Sequence, residues 1–216
     1  MDMLRFTLLS DGSSDRVLLP MLEWLLTTNG VTFPIQPQWA DLRRMPNPPR
    51  ELHERMVEAC RQYPCDLMFI HRDAENAGYQ QRVTEIRVAI TKLDEEIENL
   101  PIVCVIPVRM QEAWFLFDEQ ALREASGNPR GRQKLNLPPI RQCDQIADPK
   151  TLLHKLLRQA SGRRGRRLKQ FKPEQAVHLL ALNINNFSPL RALDAFKVLE
   201  ADVQKIIIKN GWNKLG

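Results

Sequence analysis

The sequence predicts an α/β protein: a mostly parallel sheet covered by helices on both faces and continued by a C-terminal helical extension. Three observations carry that expectation. The apolar runs at residues 3–9, 66–71 and 102–106 are continuous rather than alternating, the pattern of strands buried on both faces. Segments of helical periodicity separate them, which is the order that builds parallel crossovers. After Gly127 the strand-like runs stop, and the remainder reads as loop and helix.

Each element has its own local argument. The first run ends in Ser10-Asp11-Gly12, a turn signal; Ser13 or Ser14 is placed to cap the next helix, and Asp15 suits the positive end of that helix's dipole. Val17, Leu18, Met21, Leu22, Leu25 and Leu26 form its apolar face, Pro20 kinks it or ends an irregular first turn, and Asn29-Gly30 stops it. Residues 31–36 read as a second strand, put at an edge by Pro34. Prolines at 46–49 break the chain before a helix over about residues 50–62. Tyr79, Val83, Ile86, Ile90, Leu93, Ile97 and Leu100 lay one apolar stripe along a single long helix. Packing on its own sheet is the expectation, although the heptad spacing also allows pairing with another chain. Residues 111–126 read as one helix. The proline-rich stretch 128–149 reads as loop, and helices are expected at about 150–160, 173–184 and 190–209. The expected division is an α/β unit over 1–127 and a helical extension with a basic loop over 128–216, a soft boundary that close packing would merge.

No apolar run in the 216 residues approaches the ~20 that a membrane span needs. The N-terminal stretch turns polar early and its first charge is acidic, so no leader is expected and the protein is placed in the cytoplasm. Cys60, Cys65, Cys104 and Cys143 read as buried or incidental thiols rather than metal ligands. Charge is divided unevenly. Residues 1–100 carry 11 Lys/Arg and 16 Asp/Glu, whereas residues 101–216 carry 20 and 10, an asymmetry that points to a polyanionic partner for the C-terminal half.

Ligands of open parallel sheets gather beyond the carboxyl ends of the strands. Three expected strands deliver acids there: Asp11 and Asp15 after the first, Asp73 and Glu75 after the second, and Glu112 after the third. Taken singly, each has an ordinary role as turn former, helix cap or first-turn acid; their coincidence at one end of the sheet raises the functional reading. Two carboxylates ~4 Å apart repel by a few kcal/mol at an effective dielectric near 20, and a divalent cation offsets that cost. Hard oxygen donors with few histidines favour Mg²⁺ or Mn²⁺.

These motifs resemble a known family. Asp11-Gly12-Ser13-Ser14-Asp15 is similar to the first Toprim motif, usually a Glu-Gly pair with a second acid three residues after the Gly. His71-Arg72-Asp73-Ala74-Glu75 follows a buried strand as the Toprim Asp-x-Asp motif does. Gln111-Glu112-Ala113-Trp114-Phe115-Leu116-Phe117-Asp118 resembles the Glu-Ala-Trp segment of small stand-alone Toprim-like bacterial proteins, and Asp148-Pro149-Lys150 and residues 187–199 resemble that group's C-terminal part. Those proteins are related to overcoming-lysogenization-defect nucleases and are often encoded beside an ATPase. Two positions depart from the pattern: Asp11 stands for Glu, and Glu75 for Asp.

The resemblance implies a Toprim-like sheet and Mg²⁺-dependent phosphodiester hydrolysis, as a nuclease or nuclease effector of an anti-phage system. Asp11, Asp15, Asp73, Glu75 and Glu112 would hold Mg²⁺ or Mn²⁺, with Asp11, Glu112 and Lys150 as the catalytic set. It also implies an ATPase partner; the sequence shows no Walker-type glycine loop of its own, so any ATP chemistry would be supplied in trans. Arg72 and Arg109 flank the motifs and either contact phosphate or pair with the acids, while His71, ending a buried strand, reads as structural. Residues 151–172 hold eight Lys/Arg, and Arg163, Arg164, Arg166, Arg167 and Lys169 form a candidate phosphate-backbone strip, or else a solvated flexible loop, with Phe171 close enough to stack on a base. Two other functions fit the residues: a catalytically silent nucleic-acid-binding subunit of an ATPase complex, and a metal-dependent phosphatase acting on a small phosphate ester.

Overall fold

The computed structural model describes residues 2–75, 77–93, 97 and 99–213. Strands β1 (Leu4–Leu9), β2 (Ile35–Trp39), β3 (Leu67–His71) and β4 (Ile102–Val105) form one parallel sheet in the order β2-β1-β3-β4. The α/β expectation holds. Along β3 the two-residue period of a strand sends Leu67 and Phe69 into one core and Met68 and Ile70 into the other, which is why its sequence is apolar throughout. Phe6 of β1 meets Phe69 edge to face, with ring centroids 5.3 Å apart.

Helices α2 (Leu52–Gln62) and α3 (Tyr79–Ile90) cover the Met68/Ile70 face through Met56, Ala59, Val83 and Ile86. The other face takes α1 (Leu19–Thr28) together with helices from the second half: α4 (Glu119–Ala125), α5 (Pro149–Ala160), α7 (Pro173–Asn183) and α8 (Asp194–Asn210). One hydrophobic cluster runs from Leu4 and Leu22 through Trp114 and Leu157 to Phe196 and Ile207, so residues on both sides of position 127 share a core. Trp114 is fully buried and packs edge-on against Phe196. On α8, Glu200 accepts from Arg191 at 2.7–3.1 Å and from the Asn29 amide at 3.1 Å, tying the last helix to the end of α1. Gly211 ends α8 in the left-handed region (φ 68°), where a side chain would be strained.

Several elements differ from their sequence expectation. The second strand begins four residues later, at Ile35, and lies at the sheet edge, where both Pro34 beside it and Pro37 within it are tolerated. The first helix opens as a 3-10 segment, Ser13–Leu18, before α1 starts with Pro20 in its first turn. The helix expected over 111–126 is two pieces: a buried 3-10 turn, Gln111–Phe115, and then α4. Asp118 divides them by accepting from Ala121 N at 2.9 Å, a side-chain cap that starts a new helix. The long stripe stops as a helix at Ile90, followed by a turn at Thr91 and Lys92; residues 94–96 and 98 of that stretch lie outside the described residues. Part of the basic loop is a short helix, α6 (Gly165–Lys169).

Candidate functional site

β1 pairs with β2 on one side and β3 on the other, so successive crossovers leave β1 in opposite directions. The crevice beyond the carboxyl ends of β1 and β3 is therefore the topological switch point, where parallel sheets bind ligands. Three acids reach it from three loops.

Asp15 sits in the turn after β1, buried. Its carboxylate accepts from Gly12 N at 2.9 Å, from Ser14 Oγ at 3.0 Å and from the Gln111 side-chain amide at 2.9 Å. Asp73 follows β3 and accepts from Gln111 N at 2.9 Å. Burial, with the Glu112 and Asp15 charges close by, pushes its carboxyl up to about 6 against the opposing pull of His71 and the Gln111 N–H. Glu112 follows β4. Burial raises its carboxyl, Lys150 pulls it down and Asp15 pushes it up, and its Oε2 is buried with no hydrogen-bond partner. Gln111 joins the loops: its side chain holds Asp15, its backbone holds Asp73, and its own Oε1 is also left without a donor.

His71 completes the floor. Its Nδ1 lies 2.9 Å from the Val105 carbonyl, a pure acceptor, so Nδ1 carries a proton; its Nε2 then faces Asp73 Oδ1 at 3.4 Å.

The five acids singled out in the sequence do not all meet. Asp15, Asp73 and Glu112 are neighbours. Asp11 is about half exposed and its carboxylate is taken by Arg55 at 2.6 Å and Arg72 at 3.2 Å. Arg72 therefore pairs with acids, as one of its two expected roles had it. Glu75 is exposed on the loop after β3, in the left-handed region (φ 44°), with its N–H bonded to Arg109 O. Among the described residues, no three His, Cys, Asp or Glu side chains converge closely enough to hold a metal ion. The donors of Gln111 occupy Asp15 and Asp73 instead. The four cysteines are free thiols.

Comparison with known protein families, curated proteins and solved structures yields no match.

Lys150 stands in the first turn of α5, whose N-cap Asp148 accepts from Thr151 N. Its charge is felt at Glu112, and both residues line a cleft of ≈ 270 Å³. A larger cleft, ≈ 570 Å³ between α2 and α3, contains none of the three acids, so size is a poor guide to the chemistry here. Arg163, Arg164, Arg166, Arg167 and Lys169 are all exposed at and around α6. Arg163 lies over the Phe171 ring, 5.1 Å from its centroid, so that aromatic already has a partner.

The sequence reading passed over Gln111, His154 and His178 and gave His71 only a structural part. Gln111 had one visible signal, its place beside Glu112 in the quoted segment. The histidines had none, because α5 and α7 meet the sheet edge only through tertiary packing. No helix among the described residues is long and apolar enough to cross a membrane.

Proposed function

We propose that the protein is a metal-dependent phosphodiesterase acting on nucleic acid, with Asp15, Asp73 and Glu112 as its acidic centre. The observation that carries this reading is the nearness of three acids from three separate loops at the switch point of a parallel sheet, Asp15 and Glu112 buried and Asp73 half-buried, with Glu112 Oε2 lacking any donor. Such a cluster is costly without a positive charge to offset it.

The donors suit Mg²⁺ or Mn²⁺ by type and charge, three carboxylates with the Gln111 side chain among them, but Gln111 holds Asp15 and Asp73 apart from a common ion, so binding would require that bridge to open. Such an ion would polarise a phosphoryl oxygen and lower the pKa of a bound water. The chain's own residues do the rest. His71 Nε2, 3.4 Å from Asp73 Oδ1, is placed to pass a proton beside the acids. The Lys150 ammonium offsets negative charge developing near Glu112. The exposed cations around α6 hold the phosphate backbone without reading sequence. The resemblance to Toprim-like proteins adds an ATPase partner and a role in anti-phage defence to this proposal.

The silent-subunit reading is favoured by a different observation: Asp11 is engaged by two arginines, and the acids are bridged by amide donors rather than converging. One experiment separates the two. Purified protein is incubated with plasmid DNA or RNA in Mg²⁺, in EDTA and as Glu112→Gln, with and without an ATPase encoded beside it. Cleavage that needs the cation and is lost in Glu112→Gln supports hydrolysis. Cleavage surviving both EDTA and the substitution contradicts it, and Mn²⁺ binding without cleavage under every condition favours the silent subunit.

A further inference from the structure

We propose that the cleft beside Glu112 holds the phosphate group of a phosphoester, gripped by Lys150, His154, His178 and the hydroxyls of Ser13 and Ser14. This rests on reading the acidic centre as a phosphoester site, and it assigns that site a phosphate pocket built largely from residues the reading itself does not use.

Four elements build the lining. The turn after β1 supplies Ser13 and Ser14, the turn after β4 supplies Gln111 and Glu112, α5 supplies Lys150 and His154, and α7 supplies Glu174 and His178. Lys150 and His154 are four residues apart on one helix and so share a face. Gln111 and Glu112 are only 2% and 5% exposed, and each presents a buried oxygen with no donor. Buried acceptors in native proteins are nearly always satisfied, so two orphans lining one cleft point to a ligand that brings hydrogens.

Apart from the exposed Glu174 carboxylate, which faces His154, the rest of the lining is weighted the other way. Lys150 is a donor only, and the two imidazoles and two hydroxyls can all donate. A phosphate ester suits this lining: its anionic oxygens accept from Lys150, the imidazoles and the two hydroxyls, and a small shift of the Gln111 or Glu112 side chain, whose orphan oxygens are covered in this structure, would let a sugar hydroxyl donate to them. At ≈ 270 Å³ the cleft is at the small end of ligand sites, which suits a sugar phosphate or one backbone unit of a single strand rather than a duplex.

The histidines give the cleft a proton signature. Around His154, burial and the Arg158 and Lys150 charges lower its pKa against the pull of Glu174, 3.8 Å from Nδ1, and of Asp148. Burial and Arg16 lower that of His178. Both therefore enter a neutral-pH complex mostly uncharged, and an arriving phosphate reverses the balance by stabilising the imidazolium form.

The test is calorimetry in EDTA near pH 7 with inorganic phosphate and with ribose 5-phosphate, in buffers of different ionisation enthalpy. The expected result is saturable binding with net proton uptake, stronger for the sugar phosphate. The double variant His154→Gln/His178→Gln should bind at least tenfold more weakly and lose the proton uptake, with its fold checked by thermal unfolding. If that variant does not fold, Lys150→Gln, an exposed position, supplies the same affinity comparison. No saturable binding, or binding undiminished in the variants, overturns the proposal. Mn²⁺ binding without phosphate binding defeats the cleft alone, whereas phosphate binding without Mn²⁺ binding keeps the cleft and defeats the metal reading.

Discussion

Replacing Asp73 by Asn should stabilise the protein at neutral pH in the absence of divalent cations. The folded state raises the Asp73 carboxyl from 3.8 to about 6, chiefly by burial. A group whose pKa is higher when folded binds more protons in the folded state. Stability is therefore greatest in acid and falls as pH rises from about 4 to 6. Two pK units correspond to about 3 kcal/mol. The Asp73 side chain keeps 22% of its solvent contact, and that screening reduces the expected effect to ~1–2 kcal/mol. Asparagine retains an oxygen for Gln111 N while removing the charge that Glu112 and Asp15 oppose. The assay is urea unfolding of both proteins in EDTA at pH 4 and pH 8. Asp73→Asn should be the more stable at pH 8 and nearly equal to the parent at pH 4. Added Mg²⁺ should stabilise the parent alone, by binding its folded state. A variant less stable at pH 8, or a difference indifferent to pH, would refute the argument that the acids strain one another.

Two further outcomes test the surface and the core. Replacing Arg163, Arg164, Arg166 and Arg167 with Gln should weaken nucleic-acid binding and flatten its salt dependence, each lost phosphate contact removing ~0.9 from the slope of log affinity against log salt; an unchanged slope returns this segment to an ordinary solvated surface. Trp114→Ala should cost about 3–5 kcal/mol in urea unfolding, because the indole is fully buried against Phe196 in the cluster shared by both halves of the chain; a cost below about 1 kcal/mol would mean that the C-terminal helices are not packed on the sheet as described.

Sequence reasoning reached the sheet more surely than the site. β3 and β4 were legible because each is an apolar run, β1 because Leu4, Phe6, Leu8 and Leu9 dominate it despite Arg5 and Thr7, and α5, α7 and α8 because each carries an apolar face between proline or glycine stops. β2 was misplaced by a few residues, since its half-buried edge position leaves little hydrophobic pattern to read. The break at Asp118 depends on a single side-chain hydrogen bond that competes with continued helix. Around the candidate site, local order was enough to put Asp15, Asp73 and Glu112 in the segments that follow β1, β3 and β4. The fate of Asp11 was hidden because its partner Arg55 lies 44 residues away, and no local pattern announces such a pair. Gln111 was hidden for a related reason. An amide that bridges two acids is chemically silent in a sequence and becomes visible only when three loops meet.

The central claim is that Asp15, Asp73 and Glu112 form a divalent-cation site for phosphoester chemistry. The most direct measurement is the anomalous difference map of crystals soaked in Mn²⁺, collected for the parent and for Glu112→Gln. A manganese peak in contact with carboxylate oxygens of all three acids, weakened or lost in Glu112→Gln, is the expected result. A parent map with no peak there, or with manganese bound only elsewhere while Gln111 still bridges Asp15 and Asp73, would contradict it.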